Sequence, residues 1–181
     1  TQKWTLFPYT TLFRSYVKFN EALKYFKDVK FEIIWRPFQL NPNMPKEGMN
    51  RDEYLNKKFG GREQALKVYK NIEDEGKLAN IHFQFKKIKI TPNSFLSHKL
   101  LAFAFNKQQQ NKVLEAIFFH YFIEGKNIGN LEIIIEIAKQ TNLYEEGIEK
   151  YLLSEKDNKN LLNEAKQASD IGISGVPCFI F

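Results

Sequence analysis

The sequence has a single cysteine, Cys178, and lacks several features that would define a functional class at once. One cysteine excludes an internal disulfide, a Cys-x-x-Cys pair and a cysteine-based metal cluster within these 181 residues. The three histidines (His82, His98 and His120) are far apart and lack the spacing of metal ligands on one helix. We therefore predict no metal site.

The sequence also lacks a long apolar run and a concentration of charge. No stretch approaches the roughly 18 apolar residues of a membrane span, and no apolar stretch follows a basic start as in a signal peptide. Its 27 basic residues outnumber 21 acidic ones, but the two signs are mixed along the chain. We expect a solvated surface of mixed charge and no nucleic-acid or membrane partner.

Aromatic residues are abundant, and the periodic patterns predict helices between two strands. The 17 Phe and 8 Tyr predict a large aromatic core. An amphipathic helix (19–26) precedes a β-branched strand (29–35), and a proline-rich loop (36–48) follows that strand. Further helices are predicted over 50–59, 62–79, 91–107, 111–125, 130–140, 144–154 and 160–172. Residues 81–85 read as extended, and 176–181 read as a second strand. This order favours a split α/β domain with an all-helical insertion.

Four stretches carry a resemblance to one family: WRPFQLNPNMPKEGMNRDEYLNKKFG (35–60), TPNSFLSHKLLAFA (91–104), EAIFFHYFIEGKNIGN (115–130) and ASDIGISGVPCFIF (168–181). They resemble the DsbA-like thioredoxin-fold oxidoreductases, in the branch that is also similar to 2-hydroxychromene-2-carboxylate isomerases. The resemblance implies an α/β thioredoxin-like fold interrupted by an all-helical domain. Residues 16–49 and 156–181 would then form a partial thioredoxin-like domain, and 50–155 the inserted helical domain.

The same resemblance implies a substrate-docking loop at Val176 and Pro177. A cis bond before Pro177 would leave the main-chain N–H and C=O of Val176 unpaired, so that an extended peptide or glutathione can pair with them. The loop should face a Cys-x-x-Cys pair at a helix N-terminus, where a thiolate is stabilised. In the family this pair would fall near positions 9–12, which read Tyr-Thr-Thr-Leu here. We therefore predict no catalytic residue in this chain.

Three further residues are predicted to bind substrate. The resemblance brings the segment of Asn93 and His98 towards the active site, and Asn41 follows the predicted strand 29–35. Loops at the carboxyl ends of strands often carry ligands in open α/β sheets. For Cys178 we favour a small buried strand residue over a site thiol, because free cysteine often packs as an apolar residue.

Residues 5–15, TLFPYTTLFRS, match the in-frame translation of a common sequencing adapter at all eleven positions. We interpret residues 1–15 as a non-native segment that replaced the first strand and the catalytic motif. We expect it to be extended or loosely docked. Ser15 is the last residue of this string, so we do not assign it the serine role found in the isomerases. We also expect the fold to be truncated at both ends.

The favoured function is that of a thiol–disulfide oxidoreductase in the parent protein, with the fragment itself inactive. The alternatives are a glutathione-dependent isomerase or transferase of the 2-hydroxychromene-2-carboxylate isomerase or kappa type, and a non-catalytic peptide-binding module. The expected partner is a thiol or disulfide protein or a glutathione-like substrate. No cofactor is predicted, with glutathione as the possible co-substrate. One cysteine fits a reducing compartment, and the branch is similar to cytoplasmic proteins, so we expect a cytoplasmic location.

Overall fold

A computed structural model describes residues 8–180, apart from the side chains of Pro8, Tyr9 and Arg62. Eight α-helices and one two-stranded ladder lie in that range. The helices are α1 (Pro8–Leu23), α2 (Arg51–Phe59), α3 (Arg62–Leu78), α4 (Phe95–Phe105), α5 (Gln110–Phe122), α6 (Leu131–Gln140), α7 (Ile148–Leu153) and α8 (Asn158–Asp170). The strands β1 (Met49–Asn50) and β2 (Ile90–Thr91) pair antiparallel, and Phe85–Lys87 forms a 3-10 turn.

The predicted helices between residues 50 and 172 are confirmed as α2 to α8. Local signals explain several of their ends. The Asn50 side chain accepts a hydrogen bond from the Asp52 N–H (2.9 Å), and Gly60 ends α2 in the left-handed conformation. Asn130 caps α6 in the same way through the Glu132 N–H (2.7 Å).

Helix α4 lies at the centre of the core, packed on α5, α6, α7 and α8. Its residues Leu100 and Ala104 are fully buried, as are Val113 on α5 and Ile134 and Ile137 on α6. A cluster of aromatic rings fills the space between α5 and the loop after α3. The rings of Phe83 and Phe85 stack at 5.0 Å within it. The predicted aromatic core is confirmed.

The predictions of strands over 29–35 and 176–180 are wrong, because neither segment joins a ladder. The extended run predicted over 81–85 is wrong at Phe85, which begins the 3-10 turn, and stays a prediction for residues 81–84. A strand needs a neighbouring main chain to pair with. Around Trp35 a side chain takes that place. The Gln110 amide accepts from the Trp35 N–H (2.9 Å) and donates to the Trp35 carbonyl (3.1 Å).

The expectation of a loosely docked segment before residue 16 is wrong for residues 8–15, which form the first two turns of α1. Phe13 stacks on Phe118 at 4.9 Å, and Arg14 forms an ion pair with Glu75. Apolar residues on one face of this helix fill the core, and that packing fixes its position. Residues 1–7 and Phe181 lie outside the described range. The non-native origin of the segment stays a prediction.

The helical region 51–153 lies between two irregular stretches, 24–48 and 171–180, that carry few regular hydrogen bonds. The predicted domain boundaries (16–49 with 156–181, and 50–155) stay a prediction. Within residues 8–180, no helix has both the length and the apolar character needed to cross a membrane.

Candidate functional site

A cavity of about 320 Å³ opens between the two irregular stretches and the helices beside them. We call it the proline cavity. Its lining from the irregular stretches is residues 31–38, Ile173 and residues 176–180. Its lining from the helices is Leu12 and Phe19 on α1, His98 and Leu101 on α4, Leu114 on α5 and Ala168 on α8. Segments distant in the sequence therefore share one concave surface.

Val176 and Pro177 form one wall of this cavity, and the peptide bond between them is cis. The main chain of Val176 makes no hydrogen bond within residues 8–180. Its side chain is half-buried. A main-chain donor and acceptor at the edge of an apolar cavity can pair with an extended ligand.

Cys178 also lines the proline cavity, and its side chain is exposed. The expectation of a buried strand residue is therefore wrong. Within residues 8–180, no strand lies beside residues 176–180, and Phe179 and Ile180 are exposed as well. A lone thiol can enter one mixed disulfide, but it cannot resolve it.

Positions 9–12 form the first turn of α1, which begins at Pro8. Proline suits a first helical position because it has no N–H to leave unpaired. Leu12 lines the proline cavity together with Val176 and Pro177. The resemblance expects a Cys-x-x-Cys pair at this helix N-terminus, beside the wall of the proline cavity that Val176 and Pro177 form; we call this the proline wall. In this chain the four positions are Tyr-Thr-Thr-Leu.

His98 joins α4 to the loop 36–48. Its Nε2 lies 3.3 Å from the Ser94 Oγ, and its ring hydrogen-bonds to the main chain of Phe38. Burial lowers the pKa of His98 to about 4, against the opposing effect of the bond to Phe38. The imidazole is therefore neutral near pH 7. It also borders a second cavity of about 180 Å³, between Arg36 and α8.

The other two predicted residues lie elsewhere. Asn93 donates to the Met44 carbonyl (2.7 Å) and accepts from the Phe95 N–H (2.9 Å), which ties loop 36–48 to α4. Asn41 donates to the Tyr54 hydroxyl (3.4 Å) and borders a different cavity of about 510 Å³. The structure thus brings Val176, Pro177 and His98 together, and leaves both asparagines outside the proline cavity.

Sequence reasoning missed the groups that hold segment 31–38 in place. Besides its main-chain bonds to Gln110, Trp35 donates its indole N–H to the Asn111 Oδ1. Arg36 pairs with Glu164 of α8 at 3.3 Å. Trp35, at the end of an apolar run, could have indicated these contacts from the sequence. A buried indole needs neighbouring side chains to pack on its ring and a hydrogen-bond partner for its N–H.

A model of the DSBA-like thioredoxin domain family matches residues 8–181. The chain belongs to this family. The DsbA-like chain is also similar to the crystal structure of a probable DsbA oxidoreductase from Streptomyces coelicolor. The TM-score is 0.83 at 20% identity, over 94% of this chain and 74% of that one. At that identity the likeness shows the thioredoxin-like fold. No curated protein matches the sequence.

We expect His98 to make stability fall in acid. Its pKa in the fold (about 4) lies below the ordinary value of 6.5, so the unfolded chain binds the proton first as the pH falls. The contribution of neutral His98 to the free energy of unfolding is complete above pH 6.5 and is lost as the pH falls to 4. The loss is about 2 kcal/mol, allowing for the partial exposure of the ring. Urea unfolding of the wild type and of His98→Gln from pH 7 to pH 4.5 measures this loss. If the free energies of unfolding of the two proteins fell equally with pH, the prediction would be refuted.

Proposed function

We propose that this DsbA-like chain is the substrate-docking scaffold of a thiol–disulfide oxidoreductase. The proposal rests on the main chain of Val176, which has no hydrogen-bond partner among the described residues and lies in the wall of an apolar cavity. The first turn of α1 also borders that cavity. An extended substrate would pair with Val176 and place a cysteine beside that turn. The 181 residues contain one cysteine, so this chain binds substrate without cycling a dithiol.

The chemistry of the family explains this arrangement. A thiolate at a helix N-terminus attacks a substrate disulfide, and one substrate sulfur leaves as a thiolate. A second cysteine then attacks the mixed disulfide, which releases the reduced substrate and leaves a disulfide on the enzyme. Leu12 stands at the position of that second cysteine and lines the proline cavity together with Val176 and Pro177. Cys178 can supply only the first of these two steps.

The lining favours a protein or peptide substrate over glutathione. It is largely apolar, and its charged residues are Glu32 and Arg36. Arg36 is already paired with Glu164, so among the described lining residues no unpaired cation faces the two carboxylates of glutathione. The isomerase alternative needs a serine in the cavity, but Ser15 lies two turns into α1 and does not line it.

The test is binding of a fluorescein-labelled, extended eight-residue apolar peptide with a central S-methylcysteine, measured by anisotropy. Ala168→Trp places an indole in the cavity and should weaken binding about tenfold. Ala165→Trp, on the same helix but outside the lining, is the matched control and should bind as the wild type does. Reduced glutathione should compete poorly.

Equal binding by both tryptophan variants and the wild type would mean that the peptide docks elsewhere, and would refute the proposal. Strong competition by glutathione would move the isomerase or transferase function ahead. Catalysed disulfide reduction by the unmodified chain would contradict the absence of a dithiol cycle.

A further inference from the structure

A separate cleft, of about 450 Å³, lies in the helical region between α2, α3 and residues 85–89. It shares no lining residue with the proline cavity. Its floor is apolar, with Leu55, Ala65 and Ile88 all buried. Leu66 also lines it and is 49% exposed, so a large apolar side chain faces solvent at the mouth.

The rim of this cleft carries an excess of positive charge. Its cations are Arg51, Lys70, Lys77, Lys86 and Lys89, and its carboxylates are Asp52, Glu73 and Asp74. Lys77 and Asp74 neutralise each other at 2.8 Å. Four cations therefore face two carboxylates, and none of the four forms an ion pair with a residue of the described range.

Arg51 is the cation with the most restricted surroundings. It donates to the Thr91 hydroxyl (3.0 Å) and to the Tyr69 hydroxyl, and its guanidinium lies 5.3 Å from the Tyr69 ring centre. All these neighbours are uncharged. Among the described residues its buried Nε has no partner, and two of the five guanidinium N–H groups donate a hydrogen bond. A partly desolvated guanidinium without a counter-charge gains strongly from an anion.

We propose that this cleft binds a small organic anion with an apolar or aromatic body. The anionic group, a carboxylate or a phosphate ester, pairs with Arg51 and Lys89. The body lies on Leu55 and Ala65 and covers Leu66. Burial of apolar surface supplies affinity, and the rim cations select the charge.

Calorimetric titration with three naphthalene probes tests this site on the full chain: 2-naphthoate, 2-naphthyl phosphate and the neutral 2-naphthalenemethanol. We expect at least one of the two anions to bind about tenfold more tightly than the alcohol. The better anion identifies the preferred group. Lys70→Gln and Lys89→Gln each remove one exposed rim charge and should weaken anion binding several-fold. Arg51→Gln should weaken it further, and Lys112→Gln, an exposed cation outside the cleft, should have no effect.

Equal affinity for the alcohol and both anions would overturn the proposal, because the rim charges would then select nothing. Unchanged anion binding in Lys70→Gln and Lys89→Gln would also overturn it. These two variants keep the test valid if Arg51→Gln fails to fold, because both side chains are exposed.

Discussion

The double substitution Tyr9→Cys/Leu12→Cys is expected to give the chain a complete dithiol exchange cycle, for which its single cysteine, Cys178, does not suffice. Both positions lie in the first turn of α1, and Leu12 lines the proline cavity together with Val176 and Pro177. The N–H groups of that turn stabilise a thiolate and lower its pKa. With dithiothreitol as the electron donor, the variant should reduce insulin about tenfold faster than the reagent alone.

The matched control is Lys18→Cys/Glu21→Cys, a pair with the same spacing at exposed positions of α1 away from its first turn. Both variants carry two new thiols, so their difference reports position alone. Insulin turbidity at 650 nm measures the rate. Equal rates for the two pairs would show that the first turn gives no catalytic advantage, which contradicts the proposed geometry.

Replacement of Lys99 by methionine is expected to cost about 3 kcal/mol of unfolding free energy. The side chain of Lys99 is 1% exposed, and its Nζ donates to the carbonyls of Tyr151 (3.0 Å) and Ser154 (2.5 Å). The ammonium thus caps the C-terminal end of α7, where the helix dipole favours a cation. Methionine keeps the apolar stem but removes the ammonium from both carbonyls. The Tyr151 carbonyl still accepts from the Ser154 hydroxyl (2.7 Å), whereas the Ser154 carbonyl loses its bond to Lys99.

Urea unfolding at pH 7 measures the loss, and Lys150→Met on the exposed face of α7 is the control. The control should change stability by less than about 0.5 kcal/mol. A loss below about 1 kcal/mol for Lys99→Met would show that water replaces the ammonium at little cost.

The helices were predictable because their signals are local. The caps Asn50 and Asn130 and the 3.6-residue apolar period of α6 are visible in the sequence itself. Lys99 was not predictable as a buried residue, since its partners lie more than fifty positions away. Gln110 was hidden for the same reason, in a run of polar residues that reads as surface.

The strand predictions failed because β-propensity describes a residue type, while a ladder needs a partner. Residues 29–35 have the composition of a strand, but Gln110 binds the main chain of Trp35 instead. The proline wall and His98 were found through whole stretches that resemble the family. Leu12 and the exposed thiol of Cys178 line the cavity because of the way α1 and residues 176–180 pack. The sequence pattern does not indicate that packing.

Peptide-induced shifts of backbone amide resonances test the central claim most directly. The apolar S-methylcysteine peptide is titrated into ¹⁵N-labelled chain, and the shifted amides are mapped. We expect the largest changes at Val176 and within residues 31–38, because an added strand pairs with the first and covers the second. Changes confined to the helical region 51–153, with the Val176 amide unmoved, would contradict a docking site at the proline wall.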